Sequence, residues 1–462
     1  MYQETGQVKH VNSIIGRVRR SIFSDPIIPR DESERKRFLR RVLLLHFRPS
    51  TVPDKTLRFS LTWGLGGMAV VLVLLQISTG VLLKFVYEPT TIAAYSSIQT
   101  LIHDVPFGRL MRNLHHWCAH LLVLIIVLHM LRVFFTGAFH PPRQFNWIIG
   151  FMMFGTILAA NFTGYLLPWD QLAYWAVTVS TGMLEYWPWI GYLFQGVILD
   201  GADIGPATLR FFFAVHTAIV PIILLLLMGF HFWRIRKAGG LVIPRQPEEA
   251  SISHPSRIPT IPNLILREMV VATTLIAVVM VWSVLVNAPL ADPANPGLSP
   301  NPTKAPWYFA GLQEMLMHFH PVFAVCIIPL MVGLVFLAIP YLKYESDTGG
   351  VWFVSRVGRK TGMMAAVIAL LVTPLLILTS EKLMAPGREV SAMPSFFMSG
   401  LLPLVLLFVI TGVFIWFIRK RYSVSSNESI QAVFILILTA FVVLTMTGIW
   451  FRGEGMILKV PW

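Results

Sequence analysis

Four histidines lie inside long apolar stretches of this chain, and their spacing is regular. His115 and His129 are 14 residues apart, and His216 and His231 are 15 residues apart. In an α-helix, 14 steps return to nearly the same face roughly 21 Å further along, and 15 steps land within about 60° of the start. Each helix therefore presents one imidazole near each of its ends, facing one direction.

Paired imidazoles at two heights point to bound iron. The two helices are predicted to cross a membrane in the same direction, so His115 pairs with His216 and His129 pairs with His231. The two histidine pairs have no Cys or carboxylate partners, which disfavours zinc and di-iron sites, and no Cys-x-x-Cys-His motif for c-type haem is present. The pattern favours two non-covalent b-type haems. The alternative, buried histidines bonded to neighbouring helices, suits a single histidine better than two matched pairs.

Glycines on two other apolar stretches repeat the same spacing. Gly66 and Gly80 are 14 residues apart, as are Gly150 and Gly164. A residue without a side chain lets a flat ligand approach the backbone, so these positions are predicted to face the haems. The alternative is ordinary packing of small residues between membrane helices.

Two arginines flank the histidines of the first stretch. Arg112 lies three residues before His115, and Arg132 lies three residues after His129. A guanidinium forms strong hydrogen bonds with a carboxylate, so both are candidate partners for haem propionates. Both would also serve as simple anchors at the membrane interface.

The elements that must position these residues are membrane helices. Hydrophobic residues make up 55% of the chain and charged residues 13%, too few charges for a soluble body of 462 residues. Cys118 and Cys326 lie in apolar runs, which excludes a disulfide framework. A helix needs roughly 20 apolar residues to cross a bilayer. We predict an all-α membrane protein with about nine transmembrane helices, near 61–83, 113–135, 146–167, 209–233, 269–288, 322–341, 362–380, 397–418 and 431–450.

The basic residues indicate how the chain is oriented. The net charge is +14, and 28 of the 37 Lys and Arg fall in the N-terminal tail and in alternate loops. Such residues collect on the cytoplasmic side, so the N-terminus is predicted inside and the C-terminus outside. Because these basic residues lie between apolar spans, the orientation of the chain in a membrane explains the positive charge better than nucleic-acid binding does.

The chain divides into five predicted parts. Residues 1–58 form a basic tail, in which Val11–Phe23 is either a helix on the membrane surface or solvated chain. Residues 59–240 form a four-helix di-haem bundle, 241–268 a linker, 269–380 a three-helix module with an outer loop, and 381–462 two additional helices. The aromatic loop over 170–206 is predicted to form short helices at the outer interface.

Three segments give the chain a resemblance to a known family. They are LHHWCAHLLVLIIVLHMLRV (114–133), TGYLLPWDQLAYWAVTVSTG (163–182) and LRFFFAVHTAIVPIILLLLMGFHFWRIRKAGG (209–240). They resemble cytochrome b of the Rieske/cytochrome b (cytochrome bc-type) complexes. The 15-residue spacing is similar to the chloroplast and cyanobacterial type, and 258–380 resembles its subunit IV, here fused on one chain. The last two helices have no counterpart in the minimal form.

The resemblance implies an electron-transfer function. Quinol would be oxidised on the outer side, beside the haem held by His115 and His216. One electron would go to a Rieske iron–sulfur protein, and the other through both haems to quinone on the inner side, with proton translocation. It further implies a cytochrome c-type subunit, a homodimer, and the cytoplasmic (inner) membrane of a prokaryote. The alternative function is a di-haem anchor that connects a separate dehydrogenase to the quinone pool, and a haem-free transporter would leave the matched histidines unexplained.

The chain departs from the family at its outer quinol motif, Pro-Glu-Trp-Tyr. Trp307 and Tyr308 match, but Pro306 stands at the Glu position. Because a quinol must lose protons, a nearby base is needed. The hypothesis is that Glu314 or Asp292 takes this role, and the alternative for Glu314 is a structural acid. Asp170, in the outer Pro-Trp-Asp-Gln segment, is a further candidate catalytic residue.

Two further positions are compared with the family. The chloroplast type attaches an extra haem through a Cys where this chain has Gly64, so that covalent bond is absent here, and a non-covalent third haem stays open. Arg236 and Lys237 lie where the family places a cation of the inner quinone site. Anchoring at the inner interface explains them equally well.

Overall fold

The computed structural model describes residues 14–22, 31, 51–199, 201, 203–243, 256–345, 350–383 and 394–459. In these residues nine helices are long and apolar enough to cross a membrane. The chain is therefore a multi-pass, all-α membrane protein, as the sequence predicted. Predicted features within 1–13, 23–30, 32–50 and 244–255, including most of the basic tail and half of the linker, lie outside the described residues.

Fourteen helices of the described residues organise the fold. In chain order they are α1 (Ile14–Ile22), α2 (Leu65–Lys84), α3 (Ala94–His103), α4 (Gly108–Phe135), α5 (Gln144–Tyr165), α6 (Gln171–Gly182), α7 (Gly191–Ile198), α8 (Pro206–Lys237), α9 (Thr260–Leu285), α10 (Trp307–His318), α11 (Val322–Tyr341), α12 (Arg356–Leu383), α13 (Phe396–Tyr422) and α14 (Ser426–Trp450). The spans are α2, α4, α5, α8, α9 and α11 to α14. We call the two ends of the bundle the His115 side and the His129 side.

The predicted spans are correct in number but short at their ends. α8 covers 206–237 where 209–233 was predicted, and α9 begins at 260 where 269 was predicted. The prediction followed the apolar residues alone, whereas both helices also include polar residues at their ends. Within 170–206, α6 and α7 confirm the short helices predicted for the aromatic loop.

The four histidine- and glycine-bearing helices share one core. Leu72, Val123, Ile157 and Leu224, from α2, α4, α5 and α8, belong to one buried cluster, and Leu275 of α9 joins it. Because these side chains face each other, the opposite faces of the helices are left apolar and exposed, as a lipid environment requires.

A short antiparallel sheet closes the His129 side. β1 (Thr51–Pro53) pairs with β2 (Arg257–Pro259), with Val52 opposite Ile258. This pairing was not predicted, and it joins the residues before α2 to the start of α9.

The tail helix α1 docks on the same side. Arg234 of α8 donates hydrogen bonds to the carbonyls of Ser21 and Ile22, and the Ser21 hydroxyl lies 2.9 Å from that of Tyr341. Part of Val11–Phe23 is thus helical and held by the ends of α8 and α11.

Three of the membrane helices that the structure describes contain a π-helical turn, and a proline follows each turn by two residues. The turns are Val215–Ile219, Val322–Ile327 and Phe396–Leu401, and the prolines are Pro221, Pro329 and Pro403. Proline has no N–H to donate and crowds the carbonyl four residues before it. A local shift to i→i+5 bonding relieves this conflict without ending the helix.

The last two spans pack on the preceding module. α14 lies along α12 and α10, and Ala365, Phe414, Ile418 and Ala432 share a buried cluster from α12, α13 and α14. The C-terminal pair is therefore continuous with the helices that carry the outer loop.

Candidate functional site

The rings of His115 and His216 face each other between α4 and α8. Their centroids are 6.1 Å apart, with an angle of 77° between the ring planes. Metal–imidazole bonds are about 2 Å long, so this separation suits one metal ion bound by a nitrogen from each ring. The pairing predicted from the sequence spacing is present on this side.

Hydrogen bonds set which nitrogen each ring offers. His216 Nδ1 lies 3.0 Å from the Ala160 carbonyl, which can only accept, so Nδ1 carries the proton. His115 Nδ1 lies 2.9 Å from the Thr79 hydroxyl, whose own proton is donated to the Leu75 carbonyl at 2.6 Å. In both rings the lone pair is therefore on Nε2. A ring N–H bonded to an outer acceptor is typical of metal-ligating histidines.

Each of the four predicted glycines lies against one of the four histidines. A Cβ added at Gly164 would lie 2.5 Å from His216 Cε1, and one at Gly80 would lie 3.2 Å from His115 Cε1. The corresponding distances on the other side are 3.7 Å between Gly66 and His129 and 3.8 Å between Gly150 and His231. All four positions thus line the histidine rings, where a flat ligand would need room.

The π-helical turn explains how α8 tolerates a 15-residue spacing. Val215–Ile219 contains His216 and takes up one residue more than a regular helical turn. The remaining path to His231 then matches the 14-residue path from His115 to His129. The 60° offset expected for a regular helix is removed.

The two flanking arginines differ in what they bind. Arg112 donates to the carbonyls of Ala288 and Pro289 at 2.8 and 2.6 Å, so it holds the loop after α9. Arg132 donates through Nε to the Leu61 carbonyl at 2.9 Å, but its buried Nη2 has no hydrogen-bond partner among the described residues. A buried guanidinium nitrogen without a partner is destabilising, so this position suits an anionic ligand group beside His129.

The donor set, the glycine cradle and the unpaired Arg132 nitrogen together fit a planar iron chelate with acidic substituents. Two histidines with lone pairs on Nε2 would supply nitrogen ligands, and the glycines leave space beside the imidazole rings. The arrangement can therefore hold haem on the His115 side and, by the same glycine pattern, on the His129 side.

Trp307 and Tyr308 begin α10 and lie against α4. The Trp307 indole nitrogen donates to His120 Nδ1 at 2.8 Å, and the Tyr308 ring lies 5.8 Å from the His120 ring. Burial raises the pKa of Tyr308 above its usual value, so its hydroxyl stays protonated at neutral pH. His120 lies four residues after His116 and has no partner histidine at its height, so the sequence favours a packing residue, and its bond to Trp307 appears only in the fold.

Glu314 lies two turns after Trp307 in a cluster of charges. It is fully buried, and its two oxygens accept hydrogen bonds from Arg452, with Nη2–Oε1 at 2.5 Å and Nε–Oε2 at 2.9 Å. His318 Nε2 lies 3.0 Å from Oε1, and Arg452 also pairs with Glu381 at 2.7 Å. Burial raises the pKa of Glu314, but the hydrogen bonds from His318 and Arg452 outweigh burial and hold it below its usual value. This geometry favours the structural alternative for Glu314 over the proton acceptor.

Glu314→Gln is expected to destabilise the protein in a pH-dependent way. Leaving a buried charge without its partner costs about 3–5 kcal/mol, here toward the lower end because Glu381 still faces Arg452. Because the folded pKa of Glu314 is lowered, its stabilisation is complete above the ordinary carboxyl pKa of 4.5 and is lost as the pH falls further. Melting temperatures are measured from pH 7 to pH 3. The difference between wild type and Glu314→Gln should be constant above the ordinary carboxyl pKa and should become smaller below it. Glu454→Gln changes an exposed carboxylate and is the control. An equal loss of melting temperature in both variants would contradict the structural role of Glu314.

Asp170 and Asp292 connect two loops on the His115 side. Asp170 caps α6 by accepting from the Ala173 amide at 2.9 Å, and its other oxygen accepts from the Ala291 amide at 3.0 Å. Asp292 is exposed, and its backbone carbonyl accepts from the Gln171 amide at 2.8 Å. Both contacts join the loop after α5 to the loop after α9, and the predicted catalytic role of Asp170 stays a prediction.

The remaining predicted positions lie on the His129 side. Arg236 is half-buried at the end of α8, and the Lys237 ammonium lies 5.2 Å from the centre of the Trp233 ring. A Cβ at Gly64 would lie 3.1 Å from Val271, so the side chain of α9 occupies the position beside Gly64.

Comparison with known proteins places this geometry in context. A family model described as Cytochrome b/b6/petB matches residues 52–239. The chain is 39% identical over 175 residues to cytochrome b6 of Desmonostoc sp. (strain PCC 7906), covering 38% of this chain and 81% of that protein. It is 42% identical over 175 residues to cytochrome b6 of Prochlorococcus marinus (strain NATL1A), covering 38% of this chain and 80% of that protein. Among solved structures, one described as hyperthermophilic respiratory Complex III matches with a TM-score of 0.60 and 23% identity, over 83% of this chain and 90% of that chain. At this identity the structural match concerns the fold.

Proposed function

Because this chain belongs to the cytochrome b/b6 family, whose members bind b-type haem, we propose that it is the di-haem membrane subunit of a quinol–cytochrome c type oxidoreductase. It oxidises quinol on the outer side and delivers electrons to quinone on the inner side, with proton translocation. The observation that carries this proposal is the matched set of four histidines and four glycines at two heights in the bundle.

The haem ligands in this proposal are His115 with His216 and His129 with His231. Bound haem supplies a one-electron carrier at each of the two heights. Thr79 and the Ala160 carbonyl hold Nδ1 of the first pair, so that each Nε2 would be left to bind the metal. Arg132 would bind a propionate beside His129 through its unpaired Nη2. Arg112 already donates from Nη1 and Nη2 to two loop carbonyls, so only its remaining N–H groups would be available to a propionate.

The outer quinol site is assigned to the start of α10. The His115 side is the outer side in this proposal, because the loops of the other side carry most of the Lys and Arg. Trp307 and Tyr308 line the site next to His120, and the protonated Tyr308 hydroxyl is a hydrogen-bond donor for a quinol oxygen. Glu314 supports this site through its ion pair with Arg452, and Asp170 supports it by joining the two outer loops. Arg236 is assigned to the inner quinone site.

The proposed partners follow from the family. They are a Rieske iron–sulfur protein, a cytochrome c-type subunit and a second copy of this chain, in the cytoplasmic membrane with the N-terminus inside. Residues 59–240 form the di-haem bundle, 269–380 the module with the outer quinol loop, and 381–462 the additional helices. The shared core of α2, α4, α5 and α8 supports a four-helix bundle, and Leu275 of α9 packs against it.

The alternative is a di-haem anchor that connects a separate dehydrogenase to one quinone site. Such an anchor needs no aromatic site on the His115 side. The position of Trp307 and Tyr308 against α4 on that side therefore favours the quinol-oxidising subunit.

Purification of the full chain with its native partners tests the proposal. We expect two b-type haems per chain by pyridine haemochrome, reduction of both by added quinol, and a Rieske protein in the same preparation. A preparation without reducible b-type bands would remove the proposal altogether. Two haems accompanied by a dehydrogenase, and no Rieske protein, would support the anchor instead.

A further inference from the structure

The backbone of α14 approaches closely that of α10, the helix that carries Trp307 and Tyr308. A Cβ added at Gly311 of α10 would lie 2.5 Å from the Thr445 hydroxyl of α14. A Cβ added at Gly448 of α14 would lie 3.0 Å from the Ala310 carbonyl of α10. Each helix thus has a glycine where the other approaches, and neither can shift toward the other without a clash.

Charged groups fix the same two helices at the end of α14. The Arg452 side chain is fully buried, and it donates to both oxygens of Glu314 on α10 and to Glu381 on α12. It also donates to the Met456 carbonyl at 2.9 Å, which holds the turn after α14. Two parallel hydrogen bonds between a guanidinium and a carboxylate fix direction as well as distance.

A lysine holds the loop that leads into α10. Lys304 donates to the Ile449 carbonyl at 2.8 Å, one of the last carbonyls of α14, where a cation is favourable. Lys304 lies three residues before Trp307, so both the approach to α10 and its second turn are held by α14.

We propose that α14 and Arg452 are part of the outer quinol site, with Arg452 as a positioning residue that holds α10 so that Trp307 and Tyr308 meet α4 at His120. Arg452 acts through Glu314 and does not touch quinol. The inference rests on the proposed function, and it assigns a role to the C-terminal helices that the minimal family form lacks.

Charge variants of the purified complex test this inference. Quinol oxidation is measured against the concentration of a short-chain benzoquinol and a short-chain naphthoquinol, in Arg452→Gln, Arg452→Lys and wild type. We expect Arg452→Gln to raise the KM for quinol by about tenfold or more while haem content stays unchanged, since small misplacements of substrate contacts have large effects. Arg452→Lys keeps the charge and should recover part of the loss. Arg419→Gln is the control, because Arg419 contacts Ser429 at the other end of α14.

A second variant leaves every charge in place. Gly448→Ala adds a Cβ 3.0 Å from the Ala310 carbonyl and should push α10 away from α14, whereas Gly412→Ala on α13 meets nothing within 4 Å. We expect Gly448→Ala to raise the KM several-fold and Gly412→Ala to stay within about twofold of wild type, with equal haem content in both. If Arg452→Gln does not assemble, Gly448→Ala decides the question.

The outcomes separate this inference from the proposed function. If the wild-type complex oxidises quinol and both Arg452→Gln and Gly448→Ala keep its KM within about twofold, the inference is overturned and the proposed function stands. If the wild-type complex with its haems shows no quinol oxidation, the proposed function fails first.

Discussion

Replacing His216 with alanine is expected to remove one of two haems and to abolish quinol oxidation. Among the described residues the His216 ring faces that of His115 between α4 and α8, and its hydrogen-bond neighbours there, Ala160 and Thr163, offer no nitrogen ligand. Haem content by pyridine haemochrome should fall to about half of wild type, because each haem needs both of its axial ligands. The remaining spectrum should be that of the haem on the His129 side.

A matched control makes this result specific. His103→Ala changes an exposed histidine on α3 and should keep both haems and full activity. His129→Ala should remove the other haem and leave the complementary spectrum. A His216→Ala protein with two intact b-type bands would contradict the ligand assignment.

Gly164→Ala is expected to have nearly the same effect as loss of His216. The added Cβ would lie 2.5 Å from His216 Cε1 and 2.9 Å from its Nδ1. The ring cannot move aside freely, because Nδ1 is bonded to the Ala160 carbonyl and the ring lies in the core of the bundle. We expect loss of the haem on the His115 side, or a weaker site that loses haem during purification.

The control lies on the same helix. A Cβ at Gly155 of α5 meets nothing within 4 Å, so Gly155→Ala should retain both haems. Haem content and the reduced spectrum of both variants measure the difference. Equal haem content in Gly164→Ala and Gly155→Ala would show that the glycine cradle is ordinary helix packing.

The arrangement of the four histidines and four glycines was predictable from the sequence because each spacing is set within one helix. The spacing of His115 and His129 follows directly from helical geometry, and the same spacing in Gly66 and Gly80 selects the facing helix. The number of spans was likewise readable from apolar runs, since a membrane leaves little choice of element.

The contacts that hold the histidines and α10 in place were not predictable, because they join segments that are distant in the sequence. Thr79 and His115 meet only after α2 and α4 pack, and the role of Lys304 appears only when α14 returns to the outer loop. The sequence left Glu314 with two alternatives for the same reason. Its partner Arg452 lies 138 residues further along the chain.

The π-helical turn of α8 is a further feature that the sequence did not predict. Pro221 was visible in the sequence, but the π-helical turn before it was not predicted. A proline in a membrane helix signals a kink or a local change of bonding without saying which. The turn brings the 15-residue spacing of α8 closer to the 14-residue spacing of α4 than a regular helix would.

The turn at Val215–Ile219 also bears on how related chains are aligned. A homologous helix whose histidines are 14 positions apart lacks one residue relative to α8, and the gap belongs in the part of this turn that follows His216. If the gap is placed nearer His231, every residue between the turn and the gap is aligned one position off, which is a rotation of about 100° around the helix axis. Position-by-position comparison of the two helix types is therefore meaningful only when the gap is assigned to the part of 215–219 that follows His216.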